Sequence, residues 1–195
     1  METHSLKLLT WAVIVMVIID ALYIPLMLCG GWLFPAFFTS VAIPIAGKLD
    51  VAATLFKFAT MIVFSIWIYR AGRNLVDFGY DDLEFTPAAR IWWFAVPVAS
   101  FFVPYQGMRE LWNASQGRTD YTQDEPIVGI WWGLWLLHGI GGILVRFFMA
   151  GNERTAFFFQ GLTDVALALV AIQLLREIAA GQERLRRPEL AQVFA

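Results

Sequence analysis

The sequence predicts an all-α integral membrane protein with four transmembrane helices and a re-entrant or interfacial helical element between the second and third. Three observations carry that prediction. Of the 195 residues, 59% are hydrophobic and 15% charged, and the mean hydropathy is +0.63, too apolar for an ordinary water-soluble domain. Four apolar runs approach the ~20 residues that a helix needs to cross a bilayer. The Lys and Arg residues show a strong sidedness only if those four runs cross and nothing else does. The whole chain, 1–195, reads as a single polytopic domain.

The first span covers 8–29. Its apolar stretch is longer than that of a secretory signal, and Cys29-Gly30-Gly31-Trp32 runs into more apolar sequence where a cleavage site would stand, so it is expected to stay as an anchor. Trp32 to Gly47 carries Pro35 and Pro44. Because proline removes a backbone donor and crowds the preceding turn, this stretch is expected to be a lid or interfacial segment on the outer face. The second span, 51–69, ends in Trp67, Tyr69 and Arg70, a girdle suited to the headgroup layer. Thr86-Pro87 is a helix start, a hydroxyl cap followed by proline at the first helical position. It opens a broken element, 87–112, whose apolar part from Ile91 to Tyr105 is short and holds Pro97 and Pro104. The third span covers 127–149 and the fourth 157–175. A charged tail, 176–195, follows, helical until Pro188 stops it.

If Ile91 to Tyr105 crossed, the basic residues other than Lys57 would divide six against seven. If it enters and returns on one side, they divide ten against three, with Lys48, Arg146 and Arg154 outside. Short cytoplasmic loops collect Lys and Arg, so four spans with both termini cytoplasmic are favoured, and five spans remain the alternative.

Several blocks of sequence carry a family likeness. They are Trp67-Ile68-Tyr69-Arg70-Ala71-Gly72-Arg73-Asn74-Leu75, Phe85-Thr86-Pro87, Trp92-Trp93-Phe94-Ala95-Val96-Pro97, Pro104-Tyr105-Gln106-Gly107-Met108-Arg109-Glu110-Leu111-Trp112 and Trp131-Trp132-Gly133-Leu134-Trp135. In this order they resemble the bacterial membrane family called domain of unknown function 4328, over roughly Ala52 to Arg187. The resemblance implies a polytopic protein of the bacterial inner (cytoplasmic) membrane and assigns no reaction or catalytic residue.

Ionisable groups at bilayer depth are costly and therefore informative. Asp20, Lys57, His138, Arg146 and Asp164 fall within the spans. One expectation is that Asp20 pairs with Lys57 and Asp164 with Arg146 as polar links between helices. The other is an outer-half polar cavity that exchanges protons or binds a cationic solute. A bis-histidine haem is excluded, because the other histidine, His4, precedes the first span. No cofactor and no metal is predicted. A second cluster, Trp67, Arg70, Arg73 and Asn74 with Pro97, Pro104, Tyr105, Gln106 and Arg109, is expected at the cytoplasmic surface, either as an anionic-headgroup or phosphate site or as basic anchoring. The tryptophans at 67, 92, 93, 112, 131, 132 and 135 are expected to form an interfacial belt. Gly129 with Gly133, and Gly139 with Gly142, have the spacing of close helix contacts.

The formal charge of −2 and the lone Cys29 argue against nucleic acid as a partner and against an internal disulfide. Phosphate loops, nucleophile elbows and zinc spacings are missing from the sequence, so an enzyme is not expected. The leading expectation is a non-catalytic small subunit, assembly factor or scaffold of a larger bacterial membrane complex, with lipids and other integral membrane proteins as partners. The alternative is a transporter or a membrane protein binding lipid or a small ligand through the intramembrane polar cluster.

Overall fold

The computed structural model describes residues 5–148 and 152–193; His4 and Met149 lie outside the described residues, as do the side chains of Arg146 and Arg187. Four helices are long and apolar enough to cross a membrane. The first, α1 (Lys7–Leu33), contains one charged residue past its start, Asp20, and includes Pro25. The chain reverses at Phe34, whose N–H reaches the Gly30 carbonyl at 2.9 Å. It returns as α2 (Pro35–Asp77), 43 residues long.

The expected lid at Trp32 to Gly47 is therefore not a separate segment but the tip of an antiparallel helical hairpin. Its prolines are tolerated for positional reasons. Pro35 occupies a first-turn position, where the missing N–H is no loss. Pro44 follows a π turn, Phe38–Ala42, that rearranges the hydrogen-bond ladder where proline would interrupt it. The Phe38 ring packs beside Gly31 at the tip, where a Cβ would stand in ordinary contact at 3.5 Å. The hairpin register is set by two side-chain bonds, Trp67 Nε1 to Thr10 Oγ1 at 2.8 Å and Tyr23 OH to Asp50 Oδ1 at 2.7 Å.

The broken element consists of α3 (Ala89–Trp92), two 3₁₀ turns (Trp93–Ala95 and Ala99–Phe101) and α4 (Val103–Ser115). The Thr86 hydroxyl accepts the Ala89 N–H at 3.2 Å, as its capping position predicts. At the bend Val98 has φ +66°, a conformation that costs a β-branched residue about 1–3 kcal/mol. The Phe101 carbonyl beside the bend is bonded by Trp132 Nε1 at 3.1 Å, so this part of the broken backbone finds its partner inside the protein.

Both arms begin and end at the same end of the bundle. The Glu110 carboxylate on α4 accepts the backbone N–H groups of Glu84 and Phe85 and the Arg90 Nη2 at 2.8 Å. The loops beyond each arm also touch, with Tyr121 OH on Asp82 Oδ1 at 2.9 Å. The element thus closes on itself at one end of the bundle, as a re-entrant or interfacial element does.

Helix α5 runs as Pro126–Leu136, a π turn Leu137–Gly141 and Gly142–Phe148. The last helix, α6 (Glu153–Val193), lies along α1, with Ile24 against Gly161 and the Arg176 guanidinium 5.7 Å from the Trp11 ring centre. It continues past Pro188, contrary to expectation. Proline there removes one donor from the ladder but does not end the helix.

The core sits at the end where α4 enters the bundle, and Val13, Ile14, Ile68, Leu75, Leu111 and Ile178 are among its fully buried residues. The expected tryptophan belt is only partly one. Trp67, Trp112, Trp131 and Trp132 are buried pegs of this core, whereas Trp92 is 69% exposed. The predicted close-contact glycines also divide. Gly129, Gly133 and Gly139 face open space, and only Gly142 is crowded, by Gln160. The tight approaches fall instead at Gly72 beside Arg90, at Gly141, at Gly161 and at Gly181, which lies on the Ser115 carbonyl.

Two measurements check this architecture. With Cys29 replaced by alanine, Asp81→Cys and Thr119→Cys both react with a membrane-impermeant maleimide from the same side; labelling from opposite sides would mean that the element crosses. Arg90→Met or Glu110→Gln alone costs about 3–5 kcal/mol, because each leaves a buried charged partner behind. Arg90→Met with Glu110→Leu loses less than either single change, as read by thermal unfolding in detergent.

Candidate functional site

Four ionisable side chains, one from each crossing helix, converge near the middle of the bundle. Asp164 on α6 is the hub. Its Oδ1 lies 3.1 Å from His138 Nδ1 on α5 and 3.9 Å from Lys57 Nζ on α2. Asp20 on α1 lies beside the Thr60 hydroxyl, close to Lys57 and Asp164. At about 1.5 Å rise per residue, Asp164 is ~15 Å from Arg154 and ~18 Å from Arg176, near the middle of the span and slightly closer to its Arg154 end.

Of the five residues singled out in the sequence, Asp20, Lys57, His138 and Asp164 are brought together, with a pairing that differs from the expected one. Lys57 makes its ion pair with Asp164, not Asp20, and His138 is bonded to the same carboxylate. The Arg146 side chain, the expected partner of Asp164, lies outside the described residues.

Local structure explains how His138 reaches the carboxylate. It sits within the π turn Leu137–Gly141, and such single-turn bulges rotate the side chains that follow relative to a regular helix. Gly141 and Gly142 admit the neighbouring helix: a Cβ would stand 3.2 Å from Phe159 at Gly141 and 3.0 Å from Gln160 Oε1 at Gly142. Gln160 in turn places its Nε2 2.8 Å from His138 Nδ1. One ring nitrogen therefore faces two partners with opposite demands. Protonated, Nδ1 donates to Asp164; unprotonated, it accepts from Gln160. Asp164 is 10% exposed and Lys57 48%, so the hub is shielded and the ammonium reaches the protein surface.

The surface motif predicted from sequence does not assemble as one site. Trp67 is a core peg, and Asn74 donates to Gln182 Oε1 at 3.0 Å. Gln182 also donates to the Ala71 carbonyl at 2.8 Å and the Ser115 hydroxyl at 3.1 Å, tying α2, α4 and α6 together. Arg70 and Arg73 are exposed along an apolar trough on α2, with Arg73 3.5 Å from Asp77. Pro97 is exposed at the bend, Pro104 opens α4, and Gln106 points outward. Tyr105 and Arg109 face away from Arg70 and Arg73, onto Asp124 at 3.0 and 2.7 Å. Hydrogen bonds from Arg109 and then Tyr105 hold the Asp124 carboxyl below the ordinary value.

Sequence reasoning also missed Arg90 and Glu110. Arg90 is 2% exposed and Glu110 4%. Burial pushes the Glu110 carboxyl upward against the opposing pull of Arg90 and the two backbone N–H groups. The available signal was the presence of Gly72, Gly107 and Glu110 inside the family-like blocks.

The fold defines the chain as a multi-pass integral membrane protein built on four crossing helices and a re-entrant or interfacial helical element. It belongs to the family described as Domain of unknown function (DUF4328), whose sequence profile matches residues 31–181. No curated protein and no solved structure matches the chain.

Asp164→Asn is expected to lower stability by about 1.5–3 kcal/mol, the range of a hydrogen bond to a charged group. Lys57→Met added to it restores part of the loss, because an ammonium without its carboxylate is itself unfavourable. Equal unfolding temperatures for the single and double variants would show that the two residues do not interact.

Proposed function

We propose that the protein couples protonation of its mid-membrane cluster to the movement of a proton or a small cationic solute across the bacterial inner membrane. The observation that carries this reading is the double environment of His138 Nδ1, 3.1 Å from an aspartate oxygen and 2.8 Å from a glutamine amide nitrogen. A proton on the ring draws it to Asp164 and weakens the hold of that carboxylate on Lys57. Loss of the proton returns the ring to Gln160 and leaves Asp164 available to a cation. Both states need partners already in place, and a site formed by several helices at mid-depth is where alternating exposure to the two sides is geometrically simplest.

The rival reading is a non-catalytic subunit or scaffold of a larger membrane complex, with both termini cytoplasmic. It draws support from the hairpin tip of α1 and α2, where Trp32 is 82%, Phe34 64% and Phe37 63% exposed. Lipid alone satisfies such a surface, so the cluster geometry carries more weight.

One reconstitution separates the two. Purified protein in liposomes carrying a pH-sensitive dye is expected to dissipate an imposed proton gradient, and Asp164→Asn or His138→Gln to slow this at least tenfold. Wild-type protein that is inert in liposomes and extracts from native membranes with stoichiometric partner subunits would move the function to the subunit reading.

A further inference from the structure

A second polar region lies at the end of the bundle that holds the re-entrant element, between the start of α1 and the last third of α6. It is a cavity of about 640 Å³, with Lys7, Arg176, Arg186 and Glu183 on its walls and Trp11 and Ile14 on its apolar side. Alanines at 179 and 180 leave the space open, because a larger side chain at either position would project into it.

Of the three cations here only Arg186 is paired with an acid among the described residues. Glu183 is engaged by Arg186 at 3.0 Å. Lys7 and Arg176 have no carboxylate partner among the described residues, and Arg176 lies over the Trp11 ring at 5.7 Å. The Arg186 Nε is buried without a hydrogen-bond partner among the described residues. Three cations and one carboxylate leave a net charge of about +2 facing the cavity.

We infer that this cavity binds the phosphate headgroup of an anionic phospholipid from the adjoining leaflet. The chemistry shared with free phosphate is recognition of a phosphate oxyanion by guanidinium and ammonium groups. Two features select the lipid as its source. The apolar side continues onto the outward face of α1, where Leu8 is 83%, Trp11 52% and Val15 50% exposed, a surface on which an acyl chain lies while its headgroup occupies the cavity. Trp11 and Arg176 also mark the depth at which the apolar helix faces give way to charge, which is the headgroup layer.

The test is native mass spectrometry of the full-length protein in a neutral detergent, titrated with phosphatidylglycerol, phosphatidylcholine or inorganic phosphate. Phosphatidylglycerol is expected to bind at one saturable site, at least tenfold more tightly than phosphatidylcholine. Lys7→Ala with Arg176→Gln is expected to weaken this tenfold or more, while Arg70→Ala with Arg73→Ala, exposed cations outside the cavity, leaves it within twofold. Lys7→Ala alone, a change at an exposed first-turn residue, shows a smaller loss in the same direction and serves if the double variant does not fold. Equal affinity for the two lipids, or binding unaffected by the Lys7 and Arg176 changes, overturns the proposal. Saturable binding of inorganic phosphate at least as tight as that of phosphatidylglycerol, so that the acyl chains add no affinity, overturns the lipid as the source.

Discussion

The buried ion pair between Arg90 and Glu110 is the constraint on which the rest of the structure depends. A carboxylate and a guanidinium removed from water carry a desolvation cost of several kcal/mol each, recovered only with good geometry and further hydrogen bonds. Glu110 has those bonds, from Arg90 and from two backbone N–H groups of the chain entering the hairpin. Arg90 fits because α2 presents glycine to it. A Cβ on Gly72 would stand 2.6 Å from its Nη1, whereas one on Gly107 would make only ordinary contact, 3.4 Å from its Cγ. The pair therefore closes the re-entrant hairpin on itself and presses it against α2.

From that lock the order propagates inward. The closed hairpin delivers the Phe101 carbonyl to Trp132, and Trp132 stacks on Trp135 with ring centres 4.7 Å apart. Phe94, on the entering arm, meets both indoles edge-on at 6.1 and 5.8 Å. These contacts pin the inner half of α5 just before its π turn. His138 is thus presented to Asp164 by a helix segment held from below by the hairpin. The Asn74, Gln182 and Ser115 network supplies a second tie at the same end, with Gly181 permitting the close approach of α6 to α4.

Crossing helices were legible because run length and hydropathy are one-dimensional properties, and the return of the hairpin was legible because charge sidedness integrates over the whole chain. Orientation was not. A tryptophan near a helix end suits a lipid interface and a core equally in sequence, and Trp67 and Trp131 turn out to face inward while Trp92 faces out. Prolines 35 and 44 read as breaks because their cost depends on whether the lost donor was needed, which only the π turn beside them decides. Arg90 and Glu110 were invisible as a pair because no helical or strand period links residues on opposite sides of a bend. The cluster members could be named from their depth, but their pairing needed the rotation of His138 by a π turn that has no sequence signature.

Rigidity is unevenly distributed along the membrane normal, and this gives the cluster its significance. At the end that holds the broken element, buried aromatic side chains, the ion pair and the glutamine network hold α2, α4 and α6 in one arrangement. From mid-depth to the opposite end the apolar faces are largely exposed. The side-chain polar links between different helices there include the bonds of Asp164, His138, Gln160 and Lys57, the Asp20 to Thr60 contact and the Tyr23 to Asp50 bond. Apolar contact does not favour one helix arrangement strongly over another when lipid competes for the same surface. A proton added at His138 or Asp164 therefore acts on the terms that most constrain this half, while the locked end supplies the fixed frame against which it can move.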